Sequence, residues 1–264
     1  MPRFVLCAAI ARTDYAILKR WGCVALWIAA CLAATTTASQ AANILADSQA
    51  DWTASDGAQG FNGWQYGYYD GSSSHPYTND PAGDDFAPMT QFLNGAWWHQ
   101  EGVGGYWTTV GQLLQHPNGT QDNHAGRLPA LEFAVRRWVS DFTGDIRIAG
   151  HISMGGGVQD NNGINGYVFL DGTKIYEQRV LAGNQVGFDF VIPTSVMVGQ
   201  TIDFAVDPGP LAAGDIYSDL FDNTKFSAQI VERVPEPAAL TLAAIGIATV
   251  LLFGTRRRAT KTDV

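Results

Sequence analysis

The sequence predicts an all-β fold, a β-sandwich of the jelly-roll type, for the central part of the chain. Hydrophobic and polar residues alternate with period two through most of residues 131–232, which is typical of strands that bury one face. Short turn sequences rich in Gly, Pro, Asn and Asp separate these runs. No amphipathic helix pattern interrupts them, and about seven strands in such a length favour two packed sheets.

The predicted strands follow one another along this region. They cover residues 131–139, 145–154, 167–170, 174–180, 186–192, 202–206 and 226–230. Asp171-Gly172 predicts a tight hairpin between the third and fourth strands, because both residues tolerate a positive φ. Pro208 stops the sixth strand. Trp138 lies opposite Val135 on the first strand, so its ring is predicted either in the core or on the surface.

The preceding residues, 43–130, are rich in Gly, Asp, Asn and aromatic side chains, and their strand pattern is patchy. Residues 62–69 predict one strand, with Trp64, Tyr66 and Tyr68 on the same face. Residues 89–93 and 109–114 are predicted to form short helical turns at most. No linker-like segment divides the region from the later strands, so we predict a single domain over residues 42–233 with long N-terminal loops.

The N-terminal segment, residues 1–41, predicts a secretory signal peptide. Lys19 and Arg20 precede an apolar run at residues 23–34, and the small residues that follow favour cleavage after Ala41. An alternative is a lipoprotein signal in which Cys31 would become the lipidated N-terminus. Since all 3 cysteines lie at or before Cys31, either reading leaves the exported domain without disulfides.

The C-terminal segment, residues 234–260, predicts a transmembrane helix. Its apolar stretch at residues 238–253 carries no charge and is followed by Arg256, Arg257 and Arg258, which favour a cytoplasmic C-terminus and an external domain. In front of it stands Val234 with the motif Pro235-Glu236-Pro237. This order resembles the PEP-CTERM sorting signal of Gram-negative bacteria. The resemblance implies processing by an exosortase; the alternative is a plain membrane anchor.

The net charge of −9 conceals a stronger asymmetry. Residues 42–234 carry 8 Lys and Arg against 22 Asp and Glu, a net charge of −14. Such an acidic surface disfavours nucleic acid and anionic lipid as partners. The expected partners are signal peptidase and exosortase during export, the membrane through the C-terminal helix, and an extracellular polysaccharide. The expected location is the cell surface or the extracellular matrix.

Several segments of the predicted domain resemble carbohydrate-binding β-sandwiches of the galactose-binding-like superfold. They are the Asp171-Gly172 hairpin, the apolar run at residues 202–207, and Asp222-Asn223-Thr224 before the last strand. The resemblance implies a sugar-binding module and leaves the ligand open, because a fold does not fix a function.

Aromatic side chains are the candidate sugar contacts, because flat rings stack on the apolar faces of sugars. The candidates are Trp64, Tyr66, Tyr68, Trp97, Trp98 and Trp107. The first three share a strand face, so burial in the core is the alternative for them. Trp97 and Trp98 are adjacent in a strand and cannot both face inward, so one of them is expected nearer the surface.

Acidic loops could hold a structural calcium ion, which takes oxygen ligands. The candidate ligands are Asp160, Asp207, Asp219, Asp222 and Asn223. None of the loops matches EF-hand spacing, and solvated loop carboxylates are the alternative.

The sequence lacks a recognisable catalytic constellation. It contains neither a Gly-x-Ser-x-Gly elbow nor a His-Glu-x-x-His helix, and Glu101 with Glu132 is only a nominal carboxylate pair. We therefore expect a non-catalytic protein that binds polysaccharide. A purely structural matrix or adhesion protein is the alternative, and a glycan hydrolase or lyase is a third hypothesis.

Overall fold

The computed structural model describes residues 43–70, 86–120, 126–156, 162–209 and 222–233. They belong to one compact unit, Ala42–Arg233. The predicted signal peptide, sorting signal and terminal helix lie outside the described residues, as do the sorting-signal residues Pro235, Glu236, Pro237, Arg256, Arg257 and Arg258. Within the described part of the chain, no helix is long and apolar enough to cross a membrane.

The described residues form fourteen strands, one short α-helix and one 3-10 turn. The helix α1 covers Ala50–Ser55 and the 3-10 turn covers Phe61–Gly63. The strands are β1 Ile44–Asp47, β2 Trp64–Asp70, β3 Phe86–Pro88, β4 Gln91–Leu93, β5 Ala96–Trp98, β6 Thr109–Gly111, β7 Leu114–His116, β8 Glu132–Val139, β9 Gly144–Met154, β10 Ile164–Leu170, β11 Thr173–Val180, β12 Phe188–Val196, β13 Thr201–Asp207 and β14 Thr224–Glu232.

These strands build two antiparallel sheets. The eight-stranded sheet has the order β12-β9-β14-β7-β6-β5-β4, and β1 pairs with β14 beside this path. The six-stranded sheet has the order β11-β10-β13-β8-β2-β3. The main core lies between the two sheets, where Phe204 of β13 meets Phe226 of β14 with ring centroids 5.2 Å apart. The predicted β-sandwich is therefore confirmed.

The strands predicted after residue 130 correspond to β8–β14, and the strand predicted at residues 62–69 corresponds to β2. Trp138 lies in the core, where only 1% of it is exposed. The prediction of short helical turns at residues 89–93 and 109–114 was wrong. These residues contribute β4, β6 and β7, which extend the eight-stranded sheet. Three-residue strands are too short to show an alternating pattern, and their conformation comes from pairing with neighbouring strands.

The Asp171-Gly172 hairpin forms between β10 and β11 as predicted. Both residues have positive φ, 45° and 72°, which suits a tight turn between twisted strands. The Asp171 carboxylate also accepts hydrogen bonds from the Thr201 amide at 2.8 Å and from Gln200 at 2.5 Å. The turn is thereby attached to the start of β13, the neighbour of β10.

The six-stranded sheet also buries its opposite face. A second apolar cluster lies there, built from Tyr69, Leu131, Phe133, Val135, Tyr167, Phe169 and Ala205. Beside it, Arg137 forms a two-pronged ion pair with Asp203, with both N–O distances at 2.7 Å. Burial of both faces explains why β8 reads as a nearly continuous apolar run before its two arginines.

Candidate functional site

Half-buried aromatic side chains gather where Tyr68 of β2 meets the end of β5 and the loop between β5 and β6. We call this group the aromatic cluster. Its members are Tyr68, Trp98, His99, Tyr106, Trp107 and Arg127. They come from three separate parts of the sequence and form two neighbouring stacks.

The first stack contains Tyr68, His99 and Tyr106. The His99 ring lies 3.9 Å from the Tyr68 ring and 4.5 Å from the Tyr106 ring, with interplanar angles of 18° and 2°. Each tyrosine thus covers one face of the imidazole. The face of the Tyr106 ring that points away from His99 is the candidate contact for another flat, apolar partner, whereas Tyr68 also packs against the main core.

A contact with a buried carboxylate holds His99, the central ring of this stack, in place. His99 Nδ1 lies 2.8 Å from Oε1 of Glu132, whose side chain is only 3% exposed. The Thr108 hydroxyl donates a hydrogen bond to Oε2 of the same carboxylate. Because Glu132 is the first residue of β8, this contact ties the orientation of His99 to a central strand of the six-stranded sheet.

The second stack places a guanidinium against two indoles. Arg127 lies 4.4 Å from the centre of the Trp107 ring and 5.4 Å from that of Trp98. Its Nη1 donates hydrogen bonds to the carbonyls of Gln100 and Tyr106 at 3.3 and 3.2 Å. Arg127 therefore holds the loop together. It contacts both tryptophans by cation–π interaction, and it hydrogen-bonds to the backbone of the loop at Gln100 and Tyr106.

Backbone hydrogen bonds hold the loop in place. The Tyr106 amide donates to the Gln100 carbonyl at 2.8 Å, and the Trp107 amide donates to Asn118 Oδ1 at 2.8 Å. A Cβ atom on Gly105 would lie 2.0 Å from the Gln100 carbonyl oxygen, so only glycine fits there. The conformation of the loop that carries Tyr106 and Trp107 is therefore fixed by these hydrogen bonds and by Gly105.

Burial raises the pKa of the Tyr68 hydroxyl, and the nearby Glu132 carboxylate raises it further. Tyr68 thus stays a neutral phenol over the physiological range. Its hydroxyl can donate and accept hydrogen bonds, which suits a partner that carries hydroxyl groups.

The predicted sugar contacts divide into three groups. Tyr68, Trp98 and Trp107 belong to the aromatic cluster. Trp97 packs against the core from the other face of β5, and its Nε1 donates to the Gly57 carbonyl at 2.7 Å. The adjacent tryptophans thus separate between core and cluster, as the alternation of β5 requires.

Trp64 and Tyr66 are core residues. Only 0% and 1% of them are exposed, so their ring faces are not available to a ligand. The period-two pattern that placed them on one face was correct, and that face is the one that packs between the sheets. Both residues therefore drop out of the candidate site.

Sequence reasoning missed three members of the cluster: His99, Tyr106 and Arg127. Tyr106 directly precedes Trp107, and an aromatic pair behind glycines was a usable signal. Nothing in the sequence connects Arg127 with Trp98 or Glu132 with His99, since these contacts span 29 and 33 positions and depend on the fold.

The carboxylates nominated for catalysis have other contacts. Glu132 is engaged by His99 and Thr108, and Glu101 lies 3.7 Å from Arg127. Both carboxylate oxygens of Glu132 are therefore engaged in contacts that hold the aromatic cluster.

The calcium candidates are only partly described, because Asp160 and Asp219 lie outside the described residues. Asp207 is buried, and its carboxylate accepts four hydrogen bonds, from the amides of Asn165 and Gly209, the Asn165 side chain and the Tyr167 hydroxyl. Burial raises its pKa, and these hydrogen bonds act in the opposite direction. Asp222 is buried and Asn223 is exposed. Within the described ranges, no three acidic, histidine or cysteine side chains gather as a metal site would require.

No protein-family model and no curated protein sequence matches the chain. Among solved structures, the chain is similar to a beta-glucosidase from Kluyveromyces marxianus, with 12% identity and a TM-score of 0.30 over 71% of this chain. The match spans 18% of the length of that enzyme.

Two carbohydrate-binding modules are also similar. One is a family 35 module from Clostridium thermocellum, with 9% identity and a TM-score of 0.27 over 54% of this chain and 92% of the module. The other is a family 51 module from Clostridium perfringens, solved with methyl-galactose, with 10% identity and a TM-score of 0.28 over 53% of this chain and 94% of the module. Similarity at this level assigns no function.

Proposed function

We propose that the domain is a non-catalytic polysaccharide-binding β-sandwich of the jelly-roll type and that the aromatic cluster is its binding surface. The supporting observation is the arrangement of Tyr106, Trp98 and Trp107. These half-buried rings are held rigidly by backbone hydrogen bonds and by Arg127. Rings fixed in this way can contact a sugar without losing side-chain entropy on binding.

The proposed contact is stacking. The outward face of Tyr106 would cover the apolar face of a sugar ring, while neighbouring polar groups accept or donate hydrogen bonds to its hydroxyls. The acidic domain, with its net charge of −14 over residues 42–234, favours a neutral or cationic polysaccharide over a strongly anionic one.

The proposed setting follows from the two ends of the chain. We infer export by the signal peptide, with Ala41 as the last residue removed, followed by exosortase processing at Pro235-Glu236-Pro237. The product would then be a cell-surface or matrix protein. Mass spectrometry of the protein from the producing cells tests this, because intact chain ends would contradict the inferred processing.

One observation favours a second function, that of a purely structural matrix or adhesion protein. The rings of the cluster stack on one another, so that both faces of His99 and one face of Tyr106 are already covered. Such stacking would serve to stabilise the loop even without a ligand.

A glycan array probed with the full chain, purified in detergent, separates the two functions. Binding to a defined group of polysaccharides supports the first, and silence on every glycan would leave the structural function. Reducing-sugar release from the bound polysaccharides is measured in parallel. Release at a rate above that of buffer would overturn the proposal that the domain is non-catalytic.

A structural calcium ion near Asp222 and Asn223 stays a proposal. Thermal unfolding of the full chain with and without a chelator tests it. A lower Tm in chelator supports the ion, and an unchanged Tm removes it.

A further inference from the structure

Arg136 is a fully buried arginine in the middle of the sandwich. It lies on β8, between Tyr66 of β2 and Phe204 of β13, and its side chain points towards the eight-stranded sheet. Its exposed fraction is 0%. The guanidinium lies 5.7 Å from the centre of the Trp52 ring and 5.9 Å from that of Phe226.

The hydrogen bonds of this guanidinium are incomplete. Nη2 donates to the carbonyl of Gly111 and, at 2.9 Å, to that of Gln112. Nε and Nη1 are buried and have no hydrogen-bond partner among the described residues. Buried donors are almost always satisfied in folded proteins, so these groups call for an acceptor.

The charge of Arg136 is not balanced either. Burial lowers its pKa to about 10, which still leaves it protonated at neutral pH. Burial raises the pKa of the neighbouring Tyr66 to about 12, so the phenol is neutral and supplies no counter-charge. Within the described part of the chain, no carboxylate forms an ion pair with Arg136.

The next residue, Arg137, is an arginine whose charge is neutralised by a carboxylate. Arg137 points to the other face of the six-stranded sheet, where the Asp203 carboxylate accepts hydrogen bonds from its Nε and Nη2, both at 2.7 Å. A charge moved out of water needs this kind of partner, because its hydration is lost on burial. Two rings near the 6 Å limit of cation–π contact compensate Arg136 only in part.

We propose that the interior of the sandwich binds a small monovalent anion, such as chloride, at the Nε and Nη1 groups of Arg136. A water molecule could accept these hydrogen bonds but would leave the charge unbalanced, whereas a halide supplies both the acceptor and the negative charge. The buried Oε1 of Gln115 also has no donor among the described residues. A halide has no hydrogen to donate, so the anion site belongs to Arg136 and not to Gln115.

The expected consequence is halide-dependent stability. Arg136 holds the turn between β6 and β7 through the Gly111 and Gln112 carbonyls, and neutralising its charge favours this buried arrangement. A ligand that binds only the folded state raises the Tm as its concentration exceeds its Kd. We expect the Tm of the full chain to rise by roughly 5 °C between halide-free and saturating chloride at constant ionic strength.

The test compares two variants. In Arg136→Met the chloride dependence should disappear, whereas Arg137→Met, which removes the adjacent paired arginine, should keep it despite a lower Tm. A wild-type Tm that does not change with chloride, or an Arg136→Met variant that keeps the wild-type dependence, would overturn the proposal.

A second measurement remains decisive if Arg136→Met does not fold. Crystals of the wild-type protein grown in bromide should give an anomalous peak within hydrogen-bond distance of Arg136 Nε or Nη1. Density for water at this place, without an anomalous signal, would contradict the anion site.

Discussion

At the scale of single residues, the two adjacent arginines of β8 depend on different partners. Arg137 is bound to Asp203, and the same carboxylate accepts a hydrogen bond from the Tyr69 hydroxyl at 2.5 Å. Asp203 is 1% exposed. The main effect of the ion pair on stability is therefore that it compensates the desolvation of the buried carboxylate.

Removing the arginine should therefore be costly. We expect Arg137→Met to lower the free energy of unfolding by about 3 kcal/mol, because the buried Asp203 carboxylate loses its cationic partner. Urea denaturation of wild type and variant measures this difference. A loss below about 1 kcal/mol would mean that Asp203 is well solvated after all.

Tyr66 should give a distinct alkaline signature. Its pKa rises from 10.0 to about 12 in the fold, chiefly through burial, so above pH 10 the unfolded state loses the proton first. The stability that this group contributes is complete below its unfolded pKa and is lost as the pH rises through the folded pKa. Arg136, whose pKa is lowered, acts in the opposite direction.

A variant isolates the contribution of Tyr66. The stability difference between wild type and Tyr66→Phe should fall by about 1 kcal/mol between pH 9 and pH 11, as measured by urea denaturation. A difference that stays constant over this range would show that Tyr66 titrates normally in the folded protein.

At the scale of elements, predictability followed strand length and burial. Strands of seven or more residues, such as β8, β9 and β14, were predictable because the alternation of their side chains is long enough to be recognised. The three-residue strands β4 to β7 were not, since pairing rather than pattern determines them. The alternation also gave the shared face of Trp64 and Tyr66 correctly, but it could not distinguish core from surface.

The same limit applies to the candidate site. The adjacency of Trp97 and Trp98 predicted that they face opposite sides of a strand, and both Trp98 and Trp107 were predicted sugar contacts. The contacts that orient them come from Arg127, and those that orient His99 come from Glu132. These are contacts between distant parts of the chain, and no local pattern records them.

Turns are the elements in which one glycine decides the geometry. Gly163, before β10, has a φ of +76°, and a Cβ there would lie 2.2 Å from the Val180 carbonyl oxygen. Gly199, before β13, has a φ of +87° with nothing within 4 Å. A side chain would be strained by the positive φ at both positions, but only at Gly163 would its Cβ also collide with neighbouring backbone atoms.

We expect Gly199→Ala to cost about 1 kcal/mol of unfolding free energy, the price of a left-handed alanine. Gly163→Ala should cost at least about 2 kcal/mol more, because its Cβ meets backbone atoms that cannot move aside independently. Thermal unfolding of both variants measures the difference. Equal losses would contradict the close packing at Gly163.

At the scale of the whole molecule, the domain combines a sandwich core, a net negative charge and the aromatic cluster. Residues 42–233 contain no cysteine, and their apolar side chains form the core between the sheets and the second apolar cluster beside Arg137. We propose that the aromatic cluster binds polysaccharide.

The most direct test probes one glycan array with three forms of the full chain: wild type, Tyr106→Ala and Tyr176→Ala. Tyr106 ends the stack on His99, whereas Tyr176 is a half-buried tyrosine of β11 that packs on Phe190 away from the cluster. We expect wild type and Tyr176→Ala to bind the same glycans and Tyr106→Ala to bind them at least about tenfold more weakly, a loss of about 1.4 kcal/mol. Equal binding by all three forms, or loss in both variants alike, would contradict the site.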